Sequence, residues 1–474
     1  MSMSKKKKIR DSVITVILWL TIWQVTAMWM DNRIFLPSPI ETIHSFQKLL
    51  QSAQFFQSIF TSLGNIVKGF LLGMFFGTLF AVLASASEFL QTFISLPMRM
   101  IKAIPVASFT ILALFWLNSS KLSILVSFFM VLPILYTNIF TGICETKKEL
   151  LEMAKLFHIR WYNKICFIYV PSVLPYLCSS CSVAIGLAWK SGIAAEVIGI
   201  TKNSIGHHLY QSKIYLEMPE LFAWSFVIIV ISIFSEYIVV FLLQLFQKVI
   251  YGVEKNIQEE NCSVEYEKSL MEEERVEAKG TIWLENITKS YQEQVVLDKV
   301  SLTLSPKRRI ALMGSSGIGK TTLFRILLGI ETAEEGTIVR EKGTEKFSVV
   351  FQENRLCEQL TVERNLKIVC KTRKQKEKIA RVLCELGLSD CRRKKVALLS
   401  GGMKRRVAIA RALVFDAPML FMDEPFQGLD IETKQKVMEW IKKESENKTL
   451  FMITHDKEEA NFLHCEIIEI HKEM

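Results

Sequence analysis

The 474 residues exceed one ordinary core, and half of them are apolar while 22% are charged, which excludes both a single soluble domain and a purely lipid-buried bundle. The formal charge of +10 is uneven: residues 1–250 hold 20 Lys/Arg against 11 Asp/Glu, and the remainder holds 38 against 37. A basic excess confined to the more apolar half reads as membrane topology, and it argues against nucleic-acid binding, which would set basic residues among exposed aromatics.

Lys5 to Lys8 and Arg10 precede an apolar run that ends near Met30. Val25 and Ala27 could pass for a signal-peptide cleavage site, but the run continues past them and more apolar stretches follow. The expectation is therefore an uncleaved first span with its N-terminus inside. Stretches near 59–85, 102–117, 122–143, 172–199 and 221–246 bring the total to six spans, or five if the third, which Pro97 and Pro105 interrupt, does not cross. With both ends in the cytosol, twelve Lys/Arg lie inside, and five (Arg33, Lys48, Lys121, Lys202 and Lys213) lie outside. An all-α polytopic membrane domain is expected over residues 1–250.

The ten cysteines are scattered and read as reduced thiols. Cys178 and Cys181 form the one close pair, inside a helix-like run, as small helix residues and not as metal ligands. Lys190 and Glu196 are ionisable groups in or near the fifth span, so they either line a polar path or reach to the outer interface. His207 and His208 stand without further ligands at suitable spacing and read as loop residues.

Between Glu145 and Pro171, Leu151, Ala154 and Phe157 recur at helical spacing while Lys147, Lys148, Lys155 and Arg160 take other positions, as in a short amphipathic helix facing the cytosol. The run Glu152-Met153-Ala154, then His158, then Ile168-Tyr169-Val170-Pro171 resembles the EAA loop of bacterial type I ABC importers, with departures at Met153, His158 and Val170. Pro175, Leu187-Ala188-Trp189-Lys190 and Ala194-Ala195-Glu196 resemble permeases for sulfonates, taurine, nitrate and related solutes. The resemblance implies that this loop is a coupling helix seated in a groove of an ATPase.

Residues 251–279 are acidic, from Glu254 to Glu277, and suit an exposed tether or helix. An α/β ATP-binding domain is expected over 280–474. There the strand-like Arg309 to Met313 leads into Gly314, Ser315, Ser316, Gly317, Ile318, Gly319, Lys320 and Thr321, a P-loop, with Thr322 next in the cradle. Its glycines let backbone N–H groups curl around phosphates, Lys320 reaches the terminal ones, and Thr321 can ligate Mg²⁺. A second apolar run, Met419 to Met422, delivers Asp423 and Glu424 to a strand end. There Asp423 would hold Mg²⁺ through water and Glu424 would polarise the attacking water.

Leu399-Ser400-Gly401-Gly402-Met403 resembles the LSGGQ signature of ABC ATPases, with Met403 where Gln is usual. The resemblance supplies further expectations in the family's order: Tyr291 stacks on adenine, Gln352 lies near Mg²⁺ and water, Gly428-Leu429-Asp430 forms the D-loop, and His455 contacts the γ-phosphate. Ser400, Gly401 and Gly402 would bind the γ-phosphate held by the opposite subunit's P-loop.

Taken together, the expectation is a multi-pass protein of the cytoplasmic membrane with its ATPase in the cytosol, working with ATP and Mg²⁺ as a homodimer. Its task would be import of a small anion brought by a separate extracytoplasmic binding protein. An exporter half-transporter is the alternative, since fused pore and ATPase is the usual exporter layout, and a regulatory membrane ATPase is another. The short cytosolic loops and the EAA-like run favour import.

Overall fold

The computed structural model describes residues 2–30, 35–251, 280–292, 294–315 and 317–470. Most of the acidic stretch 251–279 lies outside the described residues, as does Ser316. The chain forms two compact units: residues 1–145 with 172–249, and residues 146–171 with 250–474. The second unit thus takes in a segment drawn from between two stretches of the first.

The first unit is all helical. Among the described residues, five helical stretches, Val13–Met30, Ala53–Ala84, Ser119–Cys144, Trp161–Gly199 and Met218–Phe246, are long and apolar enough to cross a membrane. The expected third span is not one helix: Glu88–Ala103 and Val106–Ala113 meet at 100°. Ile104 between them is extended (φ −75°, ψ 127°), the conformation that a following proline imposes. Among the described residues the candidate spans number five, or six if this bent pair crosses as one.

Helix Ala53–Ala84 packs along Ser119–Cys144 through Gly69, Gly73 and Gly77. A Cβ added at Gly69 would lie 2.5 Å from the Ile124 carbonyl oxygen, at Gly73 2.7 Å from Val131 Cγ1, and at Gly77 3.0 Å from Leu135 Cβ. Lipid gives no hydrophobic drive between helices, so this close backbone approach supplies dispersion contact in its place.

Glu196 takes neither of the two expected roles. It has no exposed surface, and its Oε2 accepts from the Ser62 hydroxyl at 2.7 Å and from the Gly206 N–H at 3.2 Å. The Ser62 hydroxyl oxygen in turn accepts from the Ile205 N–H at 2.9 Å, so the carboxylate clasps the start of helix Ile205–Ile214 to the Ala53–Ala84 helix. Lys190 is exposed. His208 stacks on Trp224 and shares a 3.0 Å hydrogen bond with Ser58.

The second unit is an α/β domain. Strands β1 (Ile282–Tyr291), β2 (Gln294–Leu304) and β4 (Glu335–Arg340) form an antiparallel sheet in the order β2-β1-β4. The strands β3 (Arg309–Met313), β5 (Phe347–Val350), β6 (Met419–Asp423), β7 (Thr449–Ile453) and β8 (Glu466–Glu469) form a parallel sheet in the order β5-β6-β7-β3-β8. β5, β6 and β7 are buried along their whole length, which is why they read as continuous apolar runs without alternation. Because the strands are parallel, the chain leaving β3 and the acids ending β6 emerge at one edge of the sheet.

Candidate functional site: a phosphate-binding loop and the segment it grips

Gly319 closes the loop after β3 with φ +100°, and a Cβ there would lie 2.7 Å from the Val296 carbonyl oxygen, so only glycine fits. The helix Lys320–Leu327 begins at once, directing its free N–H groups into the loop. Lys320 is 6% exposed, and its Nζ donates to the Gly314 and Ser315 carbonyl oxygens at 2.8 Å each. Burial lowers the Lys320 pKa, and the Glu424 and Asp423 carboxylates oppose that shift.

Asp423 ends β6 and is 3% exposed. Burial and then the charge of Glu424 push its carboxyl up to about 6, while Arg405 and the Thr321 hydroxyl pull the other way. Glu424 follows with φ +45° and donates its N–H to the Ile453 carbonyl oxygen at 2.9 Å. That turn aims its side chain at His455, whose Nε2 lies 3.0 Å from Glu424 Oε1. His455 also lines a cavity of about 340 Å³ with Gly314, Ser315 and Ile318.

The other expected residues are spread around this centre. Tyr291 is 46% exposed at the end of β1, with its hydroxyl donating to Glu331. Gln352 is exposed just beyond β5, and Thr321 and Thr322 open the Lys320 helix. Ser400 caps the helix Gly401–Phe415, its hydroxyl accepting from the Met403 N–H at 3.4 Å. Gly402 lies against the Gly428 carbonyl, where a Cβ would be 3.1 Å away, and Asp430 caps the next helix by accepting from Thr433 N–H at 2.9 Å. Ser400, Gly401 and Gly402 do not line the Gly314–His455 cavity. Met403, in place of the usual Gln, packs against the apolar core, so the departure adds a core contact.

Sequence reasoning missed the role of Arg405. It is 3% exposed, and its guanidinium donates to the carbonyl oxygens of Gln352 (3.0 Å), Asp423 (2.8 Å), Glu424 (2.6 Å) and Pro425 (2.8 Å). One side chain thereby fixes the backbone of the Gln352 loop against that of the acid pair. Burial lowers its pKa to about 10, which leaves it charged at neutral pH. The only sequence signal was a cation two residues past Met403 in an otherwise apolar helix face.

The segment 146–171 is held by this unit. In helix Lys148–Leu156, Glu152 pairs with Arg325 of the Lys320 helix at 3.0 Å and with Arg355, three residues past Gln352, at 2.7 Å. Arg325 also pairs with Glu331 at 3.2 Å. Phe157 is fully buried, edge-on to Phe415 at 5.1 Å and beneath the Arg411 guanidinium. Of the expected apolar stripe, Ala154 and Phe157 are buried and Leu151 half-buried; Met153 and Leu156 add to it. His158 terminates the helix with φ +48°, and the Ile159 N–H returns to the Ala154 carbonyl oxygen at 2.9 Å. This is a left-handed position, which glycine adopts most readily and which histidine also tolerates. Val170 N–H reaches back five residues to the Ile165 carbonyl, just ahead of Pro171, which has no N–H to continue the ladder.

Residues 297–427 match the family described as ABC transporter, and residues 69–250 match the binding-protein-dependent transport system inner membrane component. An aliphatic sulfonates import ATP-binding protein of Delftia acidovorans is 36% identical over 188 residues, covering 39% of this chain and 77% of that protein. A second such protein, from Pseudomonas syringae pv. tomato, is 37% identical over 177 residues, covering 37% and 75%. A spermidine/putrescine import ATP-binding protein of Acetivibrio thermocellus is 34% identical over 200 residues, of which the chain spans 57% of the length. Among solved structures, a dimeric ATP-binding cassette with ADP and Pi is 30% identical, covers 40% of this chain and 94% of its own, and superposes with a TM-score of 0.36.

Proposed function

The chain belongs to the ABC transporter family, as an ATPase joined to a membrane transport component, and from that premise we propose that it imports a small anion of the sulfonate, taurine or nitrate kind. The anion arrives on a separate extracytoplasmic binding protein, and the ATPase faces the cytosol. The description of the family matched by residues 69–250 and the printed names of the sulfonate relatives support this direction and this class.

The working unit is a homodimer. By the resemblance of Leu399–Met403 to the ABC signature, a complete site takes the P-loop from one copy and the signature from the other, and the position of Ser400, Gly401 and Gly402 outside the Gly314–His455 cavity supports that reading. The adenine stacks on Tyr291, and the phosphates lie in the loop from Gly314 to Gly319 against Lys320, Thr321 and Thr322. Thr321, Gln352 and Asp423 would hold Mg²⁺, which when bound neutralises charge on the transferred phosphoryl group. The residues suit a cation, because two adjacent acids, one of them 3% exposed, meet at one strand end. Glu424 orients and polarises water for attack on the γ-phosphate, with His455 restraining its carboxylate. Asp430 sets the D-loop beside the signature.

The observation that carries the reading is the double ion pair of Glu152, which ties a segment of the transport component both to the P-loop helix and to the Gln352 loop. Closure around ATP moves those two elements, and Glu152 with Phe157 carries the movement onward.

The test uses full-length protein in proteoliposomes with a cognate binding protein and labelled sulfonate. Replacing Glu152 and Phe157 by Ala should abolish ATP-driven accumulation while basal ATPase stays within about twofold, since a truncated interface aromatic costs about 2–4 kcal/mol without touching nucleotide. Glu424→Gln should bind ATP and lose hydrolysis by about 10²–10⁴-fold. ATP-driven efflux in place of uptake would sink the import reading, and accumulation surviving in the double variant would sink the coupling role.

A further inference from the structure

A cavity of about 350 Å³ is lined by residues of the gripped segment between 158 and 167 and by residues between 364 and 376. Nothing in the nucleotide chemistry uses it, and none of its lining residues lines the Gly314–His455 cavity. We propose that this cavity binds a phosphate-bearing anion, held by Arg160, Lys371 and Lys376.

The lining is one-sided in charge. His158, Arg160, Arg364, Lys367, Lys371 and Lys376 face it, and among the described residues no Asp or Glu does. Lys367 has a carboxylate partner in Glu363, and Arg364 also has a partner, whereas no carboxylate pairs with Arg160, Lys371 or Lys376 among the described residues. Like charges this close repel: Lys371 has its pKa lowered by burial, then by Lys346 and Arg160. Such crowding is relieved when an anion enters. The neutral groups also suit an anion, because Arg160 donates to the Tyr162 oxygen at 3.0 Å and leaves that hydroxyl's proton free to donate onward, and the Asn163 amide lines the wall. A guanidinium with two ammonium groups matches the several oxygens of a phosphate. The volume lies near the lower end of the roughly 300–1,000 Å³ typical of small-molecule sites.

Two sources could supply such a phosphate. The stretch Trp161–Gly199, long and apolar enough to cross a membrane, starts at this cavity, and Trp161 (74%), Tyr162 (43%) and Ile165 (44%) are exposed there, the pattern of an interfacial aromatic anchor beside basic residues. That neighbourhood suits a lipid headgroup, and a free phosphomonoester would use the same donors.

The experiment titrates full-length protein in phosphatidylcholine nanodiscs, with Mg²⁺ and a slowly hydrolysed ATP analogue saturating the P-loop. The probes are dioctanoyl-phosphatidylglycerol, dioctanoyl-phosphatidylcholine and glycerol 3-phosphate, with binding read by calorimetry. Binding of phosphatidylglycerol, without phosphatidylcholine or glycerol phosphate, supports the site with a lipid source. Equal binding of glycerol phosphate supports it with a soluble source. In either case R160Q/K371Q/K376Q should weaken binding by about tenfold or more, K371R should restore it over K371Q, and K342Q/K374Q/K443Q, which removes three exposed charges outside the cavity, should leave it unchanged. Nucleotide affinity in each variant checks folding. The proposal is overturned if neither anion binds, if R160Q/K371Q/K376Q and, should that variant misfold, K371Q alone bind as wild type does, or if the outlying triple loses as much as the cavity triple.

Discussion

In the helical unit Glu196 has no exposed surface and rests on the Ser62 hydroxyl and the Gly206 N–H, while Glu236, half-buried, accepts from Ser182. In the ATPase unit Glu444 accepts from Lys378 at 2.7 Å and Arg381 at 3.3 Å, Asp416 pairs with Lys448 and with Lys378 at 3.5 Å, and Glu152 lies between two arginines. Neutral donors serve these two acids of the first unit, and cations serve these three of the second. A second charge between lipid-crossing helices adds its own desolvation cost, which a hydroxyl avoids. Near water, an ion pair can be broken and remade, because each partner finds solvent when it parts. The Glu196 clasp therefore suits a joint that stays closed, and the Glu152 clasp one that shifts.

The largest effect expected from breaking this contrast is on the helical unit's packing, which holds its neutral clasps in register. Gly73→Leu forces a side chain where Cβ alone would lie 2.7 Å from Val131 Cγ1, an overpacking that costs about 3 kcal/mol or more. The variant should give little monodisperse protein in size-exclusion profiles, whereas Gly64→Leu, with open space at its Cβ, should behave as wild type.

Asp416→Asn probes the ionic side. Asp416 has φ +56°, which Asn also tolerates, so the change removes charge and keeps the backbone. Burial raises the Asp416 pKa, but Lys448 and Lys378 more than reverse this and leave it below the ordinary 3.8. Its contribution is therefore full above 3.8 and lost as pH falls through the lower folded value. At pH 7 the variant should lose about 2–3 kcal/mol, read as an earlier ATPase-unit melting transition, and the two proteins should converge as pH drops below 3.8. A constant gap down to that range would contradict the charge argument.

Ser62→Ala is the mildest and sharpens the neutral side. It removes one donor from Glu196 and one acceptor from Ile205, at about 1–3 kcal/mol. Unlike the Asp416 effect, its melting shift should not change between 50 and 500 mM salt, because no ion pair is broken. A salt-sensitive shift would show that Glu196 has a charged partner.

Much of the ATPase unit was legible because its phosphate chemistry needs fixed residue types at short spacings. The loop from Gly314 to Thr321, the acids Asp423 and Glu424 and the capped helix after Ser400 each announce themselves within a few residues. The helical unit announced its spans through hydropathy, whereas the close packing at Gly69, Gly73 and Gly77 came only with the structure. What escaped depends on distant partners: Arg405 reaches carbonyls 53 positions before it and 18 after it, and Glu152 finds Arg355 across 203 positions. The Pro105 bend was foreseen as an interruption, but its 100° angle depends on how neighbouring helices receive it. Glu196 misled because a charge in a span has several uses, and only its three-dimensional neighbours distinguish them.

The separation of 203 residues between Glu152 and Arg355 also has a temporal meaning. At about 5–20 residues per second, a ribosome finishes Arg355 roughly 10–40 s after Glu152 has emerged. The gripped segment is therefore made long before its socket. Residues 280–474 produced alone would lack that early guest and would leave Phe415 and Arg411 uncovered on the face that Phe157 occupies. Order of birth thus builds into the newborn chain a reason for the two halves to travel as one polypeptide.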